Sequence, residues 1–201
     1  MVNVAFELDP ETQEQYDKLT KAIARSIHRL GEEDEKTIAL LLKRTRIMNL
    51  SLERVRLALR IVARHREERV LVFHEDIHAC NLIYEILASN GIPAGIYHSK
   101  LSVRDRADML AAYRRGAIRV LVTCRALDEG FNVPETTIGI IAASTATYRQ
   151  RIQRLGRILR PAKGKTGATV YTLVATAPEI RRLKEEEAEL EGVAEVIWSK
   201  A

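Results

Sequence analysis

The chain has 201 residues, of which 46% are hydrophobic and 29% are charged, and its formal net charge is +5. This composition excludes a disordered or fibrous protein, and the length suits one domain with a short extension. No apolar run approaches the roughly 20 residues that span a bilayer, and the first residues lack a signal-peptide pattern. We therefore expect no membrane partner and a cytoplasmic location. A nucleoid-associated or nuclear location is the alternative.

The first third of the sequence predicts helices. Asp9 suits the N-cap of the first one, Gly31 follows its last apolar position, and Ser51 suits the N-cap of the third. The predicted helices cover residues 10–30, 37–46 and 52–65. We therefore predict a helical extension over 1–50, of the kind that connects two domains, and a main domain over 51–201.

From residue 69 onwards, short apolar runs alternate with helical patterns. The apolar runs predict strands at 70–73, 94–98, 120–124, 138–143 and 168–175. The helical patterns lie at 77–89, 103–115 and 148–160. Strands that are buried on both faces and alternate with helices predict an α/β fold, in which a parallel sheet lies between two layers of helices.

The tripeptide Gly164–Thr166, GKT, matches the end of a phosphate-binding loop. The full motif needs a glycine five residues before the second one, and Leu159 stands there. The order of elements is also reversed, because a helix precedes the tripeptide and a strand follows it. We therefore interpret GKT as part of a helix-to-strand turn and not as a nucleotide site.

The predicted helix at 148–160 has two distinct faces. Gln153, Arg157 and Arg160 cluster on one of them, and apolar residues cluster on the other: Ile152, Leu155 and Leu159. The planar guanidinium group of arginine suits phosphate oxygens, but an arginine-rich solvated surface would give the same pattern. From these residues alone, both interpretations stay open.

The segment QRIQRLGRILRP resembles motif VI of superfamily 2 helicases, with the pattern Q-x-x-G-R-x-x-R. Gln153, Gly156, Arg157 and Arg160 meet that pattern. Two further segments follow the family's order, since RVLVFHE resembles motif IV and VLVTCRALDEGFNVPE resembles motif V. The resemblance covers roughly residues 50–175 and is greatest to the XPB-like DNA helicases and translocases.

This resemblance implies the second RecA-like domain of a two-domain motor. In such motors ATP and Mg²⁺ lie between the domains, and an N-terminal RecA-like domain of the same protein supplies the phosphate loop and the metal-binding acidic motif. The resemblance assigns Arg157 and Arg160 to the γ-phosphate and to the charge that develops in phosphoryl transfer, and it implies that Gln153 orients the attacking water or the phosphate. A simple cap or a surface amide is the alternative role for Gln153. No metal site is expected within this chain, and we expect the chain alone not to hydrolyse ATP.

Motif V implies further contacts with the nucleotide. Gly130 and Asn132 match positions near the ribose and the domain interface, although related motors often have Asp where Asn132 stands, which puts that contact in doubt. Asp128 and Glu129 form an acidic pair beside this turn. They either bind the motif VI arginines or belong to a solvated loop.

Such motors hold nucleic-acid phosphates with groups at strand ends and do not read bases. The residues in matching places are His74, Ser99, Lys100, Thr123 and Arg125. Because carboxyl ends of parallel strands lie at one edge, we expect these residues to lie close together there. Polar residues also follow strands in domains that bind nothing, so this grouping is a hypothesis. The expected partner is DNA, and RNA is the alternative.

The function that these observations predict is that of the C-terminal motor domain of an ATP-dependent superfamily 2 DNA helicase or translocase. Two alternatives remain at this point. One is a non-catalytic module with the same fold that binds nucleic acid or protein, and the other is a small ATPase that uses Lys165.

Overall fold

The computed structural model describes residues 1–124, 133, 135–143, 167–187 and 195–201. It contains a seven-stranded sheet with the order β3-β4-β2-β5-β6-β1-β7. All the strand pairs are parallel. The strands are β1 (Val2–Ala5), β2 (Val70–His74), β3 (Ala94–Tyr97), β4 (Val120–Cys124), β5 (Ile138–Ile141), β6 (Thr169–Val174) and β7 (Ile197–Lys200).

Six helices accompany the sheet in the described residues. They are α1 (Pro10–Leu30), α2 (Glu35–Asn49), α3 (Leu52–Arg64), α4 (Ile77–Ser89), α5 (Val103–Arg115) and α6 (Ala177–Glu187). The helices predicted at 10–30, 77–89 and 103–115 have these bounds and are confirmed. The second helix is longer than predicted, because Asp34 accepts a hydrogen bond from the Lys36 amide and caps it earlier. The predicted helix at 148–160 lies outside the described residues.

The two faces of the sheet are covered by different helices. On one face, valines such as Val72 and Val122 pack with Ile61 of α3 and Ile83 of α4. On the other face, Leu71, Phe73 and Leu121 pack with Tyr113 of α5, which is fully buried. Alternate residues of a strand point to opposite faces, so strands with apolar residues at every position need both covers. The predicted α/β fold with three layers is confirmed.

Ahead of the helices of the N-terminal extension lies a strand that was not predicted. Val2–Ala5 forms β1, which lies between β6 and β7 and pairs with both. β7 was also not among the predicted strands. Both are strands of four residues, too short to show a periodicity, and their pairing partners are far away in the sequence. The boundary at residue 50 itself stays a prediction.

Helices α1 and α2 form an antiparallel hairpin. The Ser26 and Thr37 hydroxyls lie 2.7 Å apart near one end, and Arg44 Nη1 donates to the Thr20 hydroxyl over 3.3 Å near the other. Asp9 caps α1 by accepting a hydrogen bond from the Thr12 amide. No helix among the described residues is long and apolar enough to cross a membrane.

Candidate nucleic-acid interface

A cavity of about 430 Å³ opens at the carboxyl edge of the sheet. Residues from the ends of β2, β3 and β4 line it together with the start of α4 and one residue of α2. The lining residues are Arg46, Glu75, Asp76, Ile77, His78, Asn81, Ser99, Lys100 and Cys124. We call this space the edge cavity. The carboxyl edge of an open parallel sheet is where α/β proteins bind ligands.

Two of the predicted residues, Ser99 and Lys100, meet at this cavity. Both are exposed and follow β3 in a turn, in which the Leu101 amide donates to the His98 carbonyl over 3.1 Å. Arg46 contributes a second cation from α2. In the described part of the chain, neither Arg46 nor Lys100 is in an ion pair. The cavity therefore presents two cations and a hydroxyl to an anionic ligand.

The two carboxylates of the edge cavity have structural roles. Asp76 caps α4 by accepting hydrogen bonds from the amides of His78 and Ala79, over 2.8 and 3.2 Å. Glu75 accepts a hydrogen bond from the Asn49 side-chain amide. The dipoles of these N–H donors offset part of the field of both carboxylates, which therefore oppose an anionic ligand less strongly than unpaired acids would.

Sequence reasoning missed Arg46, whose position depends on how the junction of α2 and α3 is attached to the sheet. His74 Nε2 lies 2.9 Å from the Asn49 carbonyl, and Arg54 Nε donates to the Met48 carbonyl over 3.0 Å. These contacts hold the last turn of α2 against the ends of the strands. The sequence shows only a basic residue in the last turn of a helix, a place where cations are common for helix-dipole reasons.

His74 does not fit a direct contact with phosphate in this structure, because its side chain is buried (0% exposed). Nε2 contacts the Asn49 carbonyl, and Nδ1 accepts a hydrogen bond from the Asp76 amide over 3.0 Å. An acceptor at Nδ1 requires the neutral ring. Burial lowers the pKa of His74 below its ordinary value, which agrees with a neutral ring. His74 thus positions Asn49 and Asp76.

Thr123 lies near the end of β4 and is fully buried. Its Oγ1 has no hydrogen-bond partner among the described residues. Buried hydroxyls are nearly always hydrogen-bonded, so this atom is the kind of group that a ligand or a neighbouring segment satisfies. Its predicted contact with phosphate stays a prediction.

The remaining predicted site residues lie outside the described residues. They are Gly130, Asn132, Asp128, Glu129 and Arg125 of the segment like motif V, and Gln153, Arg157 and Arg160 of the segment like motif VI. The GKT tripeptide at 164–166 lies there too. Their roles stay predictions.

His98, Cys80 and Cys124 are buried near this region and have structural roles. His98 is buried, and burial together with the nearby Lys100 lowers its pKa. The Cys124 thiol and burial raise the pKa of the Cys80 thiol well above its usual range, which leaves Cys80 protonated and unreactive. Among the described residues, no three His, Cys, Asp or Glu side chains come together as metal ligands.

Residues 53–162 match the family described as the helicase conserved C-terminal domain. The chain belongs to this family, and its sheet has the RecA-like fold of superfamily 2 helicase C-terminal domains. The match does not favour the alternative of a non-catalytic module.

The curated relatives of the chain include XPB proteins. The chain is 36% identical over 100 residues to the DNA 3'-5' translocase XPB2 of Sulfurisphaera tokodaii. This alignment covers 50% of this chain and 22% of that protein. The DNA 3'-5' helicase XPB of Kineococcus radiotolerans is 28% identical to this chain over 152 residues. That alignment covers 75% of this chain and 25% of the relative. The chain thus spans about a quarter or less of the length of these relatives.

Solved structures of low sequence identity share the fold. The SWI2/SNF2 ATPase core of Sulfolobus solfataricus in complex with dsDNA has a TM-score of 0.72 at 15% identity, over 94% of this chain and 45% of that one. The C-terminal domain of the same ATPase has a TM-score of 0.68 at 16% identity, over 96% and 88%.

Proposed function

We propose that this chain is the second motor domain of an ATP-dependent DNA helicase or translocase, and that it holds nucleic-acid phosphates at the edge cavity. The observation that carries this proposal is the meeting of Arg46, Lys100 and Ser99 at the carboxyl ends of parallel strands. Cations and hydroxyls bind a phosphate backbone without reading bases, as a motor that moves along any sequence requires.

The names of the relatives support DNA as the polymer. Those relatives include a DNA translocase and a DNA helicase, and one structural neighbour was solved with dsDNA. RNA is the alternative, because the relatives also include an ATP-dependent RNA helicase. A duplex and a single strand, each as DNA and as RNA, should be compared in the same binding assay.

The intact protein would hydrolyse ATP at an interface between two domains. In this proposal Arg157 and Arg160 stabilise the charge that develops on the transferred phosphoryl group, and Gln153 orients the attacking water. Gly130 and Asn132 approach the ribose, with Asp128 and Glu129 beside them. The N-terminal RecA-like domain of the same protein would supply the phosphate loop and the Mg²⁺ ligands. The chain alone would then be inactive.

The test is ATP turnover by the protein that contains both motor domains, with and without DNA. We expect Arg157→Ala to lower kcat by about 10³-fold or more, as removal of an arginine finger does, while nucleotide binding is retained. If turnover survives this substitution, the proposed role of Arg157 is wrong.

Lys165→Ala is the matched control for a basic residue in the same part of the sequence. We expect it to leave turnover unchanged, because the GKT tripeptide lacks the order of elements of a phosphate loop. Loss of nucleotide binding in Lys165→Ala, or hydrolysis by the 201-residue chain alone, would support the small self-contained ATPase instead.

A further inference from the structure

The outer face of α3 carries a row of three arginines. Arg56, Arg60 and Arg64 follow one another at intervals of four residues, and all three are exposed. At about 100° per residue they fall within an arc of about 80°, on the side of the helix away from buried residues such as Ala58 and Ile61. We call these three residues the arginine row.

One acid on α3 opposes the arginine row. Glu53 pairs with Arg56, whereas in the described part of the chain neither Arg60 nor Arg64 is in an ion pair. Like charges four residues apart destabilise a helix, and a single acid beside three arginines offsets only part of this repulsion. The arginine row therefore keeps a net positive charge that faces solvent.

Two further acids follow the end of α3, and both interact with other groups. Glu68 Oε1 lies 2.7 Å from His65 Nδ1. Burial lowers the pKa of Arg119, and Glu67 offsets part of this effect, so Glu67 acts on that guanidinium group. These acids reduce the field of the arginine row at its far end, and its middle remains positive.

Helix stability accounts for two members of the arginine row. Arg64 lies in the last turn of α3, where the helix dipole favours a cation, and Arg56 has its partner in Glu53. Arg60 lies before the last turn and gains neither contribution. An arginine that the helix does not need, on a line with two others, has its guanidinium donors available to an anionic ligand.

The helix α3 begins beside the edge cavity and runs away from it. In its first turn, Arg54 Nε donates to the Met48 carbonyl over 3.0 Å, in the turn of α2 that also brings Arg46 to the edge cavity. Only residues 65–69 separate α3 from β2, and both belong to one apolar core, so α3 runs from the carboxyl edge of the sheet to the amino edge. The arginine row thus leads from the edge cavity along the outside of the helix layer.

We propose that the arginine row binds the phosphate backbone of a duplex DNA whose path passes the edge cavity. This inference rests on the proposed function, because the edge cavity supplies the neighbouring phosphate contacts. From Arg56 to Arg64 the row covers about 12 Å, over which one strand of a duplex carries about three phosphates. The guanidinium group binds phosphate oxygens through a planar fork of donors.

The composition of α3 favours a duplex over a single strand. Proteins that hold single strands without sequence preference combine cations with aromatic side chains on which the bases stack. The helix contains no aromatic residue, and besides the arginines its outer face has Leu52, Glu53 and Ala63. Such a face offers contacts to a backbone and none to exposed bases.

The test compares the 201-residue chain with its Arg60→Gln/Arg64→Gln variant. Fluorescence anisotropy measures the affinity for a labelled duplex DNA, and for one of its strands alone, at several salt concentrations. For the duplex, we expect the slope of log K against log salt to shrink by about one to two in the variant. For the single strand, we expect the slope to change by less than about 0.5, because the edge cavity and not the arginine row would hold it.

The matched control is Arg104→Gln/Arg115→Gln, which removes the same charge from exposed positions of α5, on the opposite face of the sheet. Its slope for the duplex should equal that of the wild type. A further variant, Arg60→Lys/Arg64→Lys, keeps both charges and should keep the slope within about 0.5, because counterion release depends on charge. The midpoint of thermal unfolding checks that each variant is folded.

The edge-cavity variants Arg46→Ala and Lys100→Ala, measured in the same series, separate this inference from the proposed function. A smaller duplex slope in both sets of variants supports both proposals. A smaller slope in the arginine-row variant alone supports the row and contradicts the edge cavity, and the reverse result overturns the inference while the proposed function stands. An equal loss for the single strand and the duplex overturns the assignment to a duplex, and a wild type that binds no DNA overturns both proposals.

Discussion

The basic side chains at the two edges of the sheet differ in their partners: those at the amino edge donate to backbone carbonyls, and those at the carboxyl edge line a cavity. At the amino edge, Arg69 precedes β2 and donates to the carbonyls of Tyr113, Arg114 and Ile118. Arg119 precedes β4 and donates to the His65 carbonyl over 2.6 Å. At the carboxyl edge, Arg46 and Lys100 face a cavity, and no ion pair holds either of them in the described residues.

This contrast separates structural cations from cations that can bind a ligand. The last carbonyls of a helix lack a partner within it, and Arg69 donates to two of them at the end of α5. The Tyr113 carbonyl also accepts a hydrogen bond from the Gly116 amide over 3.1 Å. A guanidinium group used in this way has few donors left for an anion. The position of a cation in the sequence, next to a strand, does not reveal which use it has, whereas its hydrogen bonds do.

Arg54 shows that location alone is not the criterion, because it lies towards the carboxyl edge yet is entirely structural. It is 0% exposed and donates to the carbonyls of Ala142 and Leu173, each over 2.8 Å, besides pairing with Glu179. It thereby connects the ends of β5 and β6 to the start of α6. We expect the largest effect on stability at this residue.

Arg54→Met should destabilise the fold by about 3–5 kcal/mol, because it leaves the buried Glu179 carboxylate and several carbonyls without their donor. Urea unfolding followed by circular dichroism measures this change. The double variant Arg54→Met/Glu179→Gln removes the unpaired charge and should recover part of the loss. Equal stability of Arg54→Met and the wild type would contradict the structural role.

Arg69→Met should cost less, about 1–3 kcal/mol, because the carbonyls that it leaves are closer to solvent. The affinity for DNA should stay within about twofold of the wild type, since surface charges far from a contact add little at physiological salt. Urea unfolding and a DNA titration on the same sample check both values. A loss of DNA affinity without a loss of stability would contradict the assignment of Arg69 as a structural cation.

Arg46→Ala and Lys100→Ala should show the reverse behaviour. We expect each to change the free energy of unfolding by no more than about 0.5 kcal/mol, as is usual for exposed side chains. Each should reduce the slope of log K against log salt for DNA by about one. Arg115→Ala, an exposed arginine of α5, is the control and should change neither quantity. Unaltered DNA binding in both cavity variants would argue against the edge cavity as the interface.

Much of the fold could be predicted because its signals are local. The capping residue Asp9 and the apolar periodicity fix α1, and the buried runs at 70–73 and 120–124 fix β2 and β4. β1 could not be predicted in the same way, because four residues carry no period and its partners lie in β6 and β7. Its pairing is a property of the tertiary structure.

The candidate site was predictable to a similar extent. Ser99 and Lys100 lie in the turn just after β3, where the rule for carboxyl edges places them. The same rule placed His74 there, but it could not show that Asn49 and Asp76 occupy both ring nitrogens. Arg46 enters the cavity only because contacts between distant residues fix the end of α2, and no local pattern reports such contacts.

The smallest effect that we expect is a dependence of stability on pH. Burial lowers the pKa values of His74 and His98 below the ordinary 6.5, so the unfolded chain binds protons at these residues more readily than the folded one. Their contribution is complete above pH 6.5 and is lost as the pH falls through the lowered values. Stability should therefore decrease from pH 6.5 towards pH 5. This window lies above the pKa of Asp9, which its hydrogen bond with Thr12 holds below 3.8.

Urea unfolding at several pH values measures the slope, and His74→Gln tests its origin, because an amide can donate to Asn49 and accept from Asp76 without titrating. We expect a flatter pH dependence in this variant. A slope equal to that of the wild type would place the titrating group elsewhere. Resonances of the His74 ring that titrate at or above pH 6.5 in the folded chain would contradict its buried, neutral state, and with it the attachment of α2 that brings Arg46 to the edge cavity.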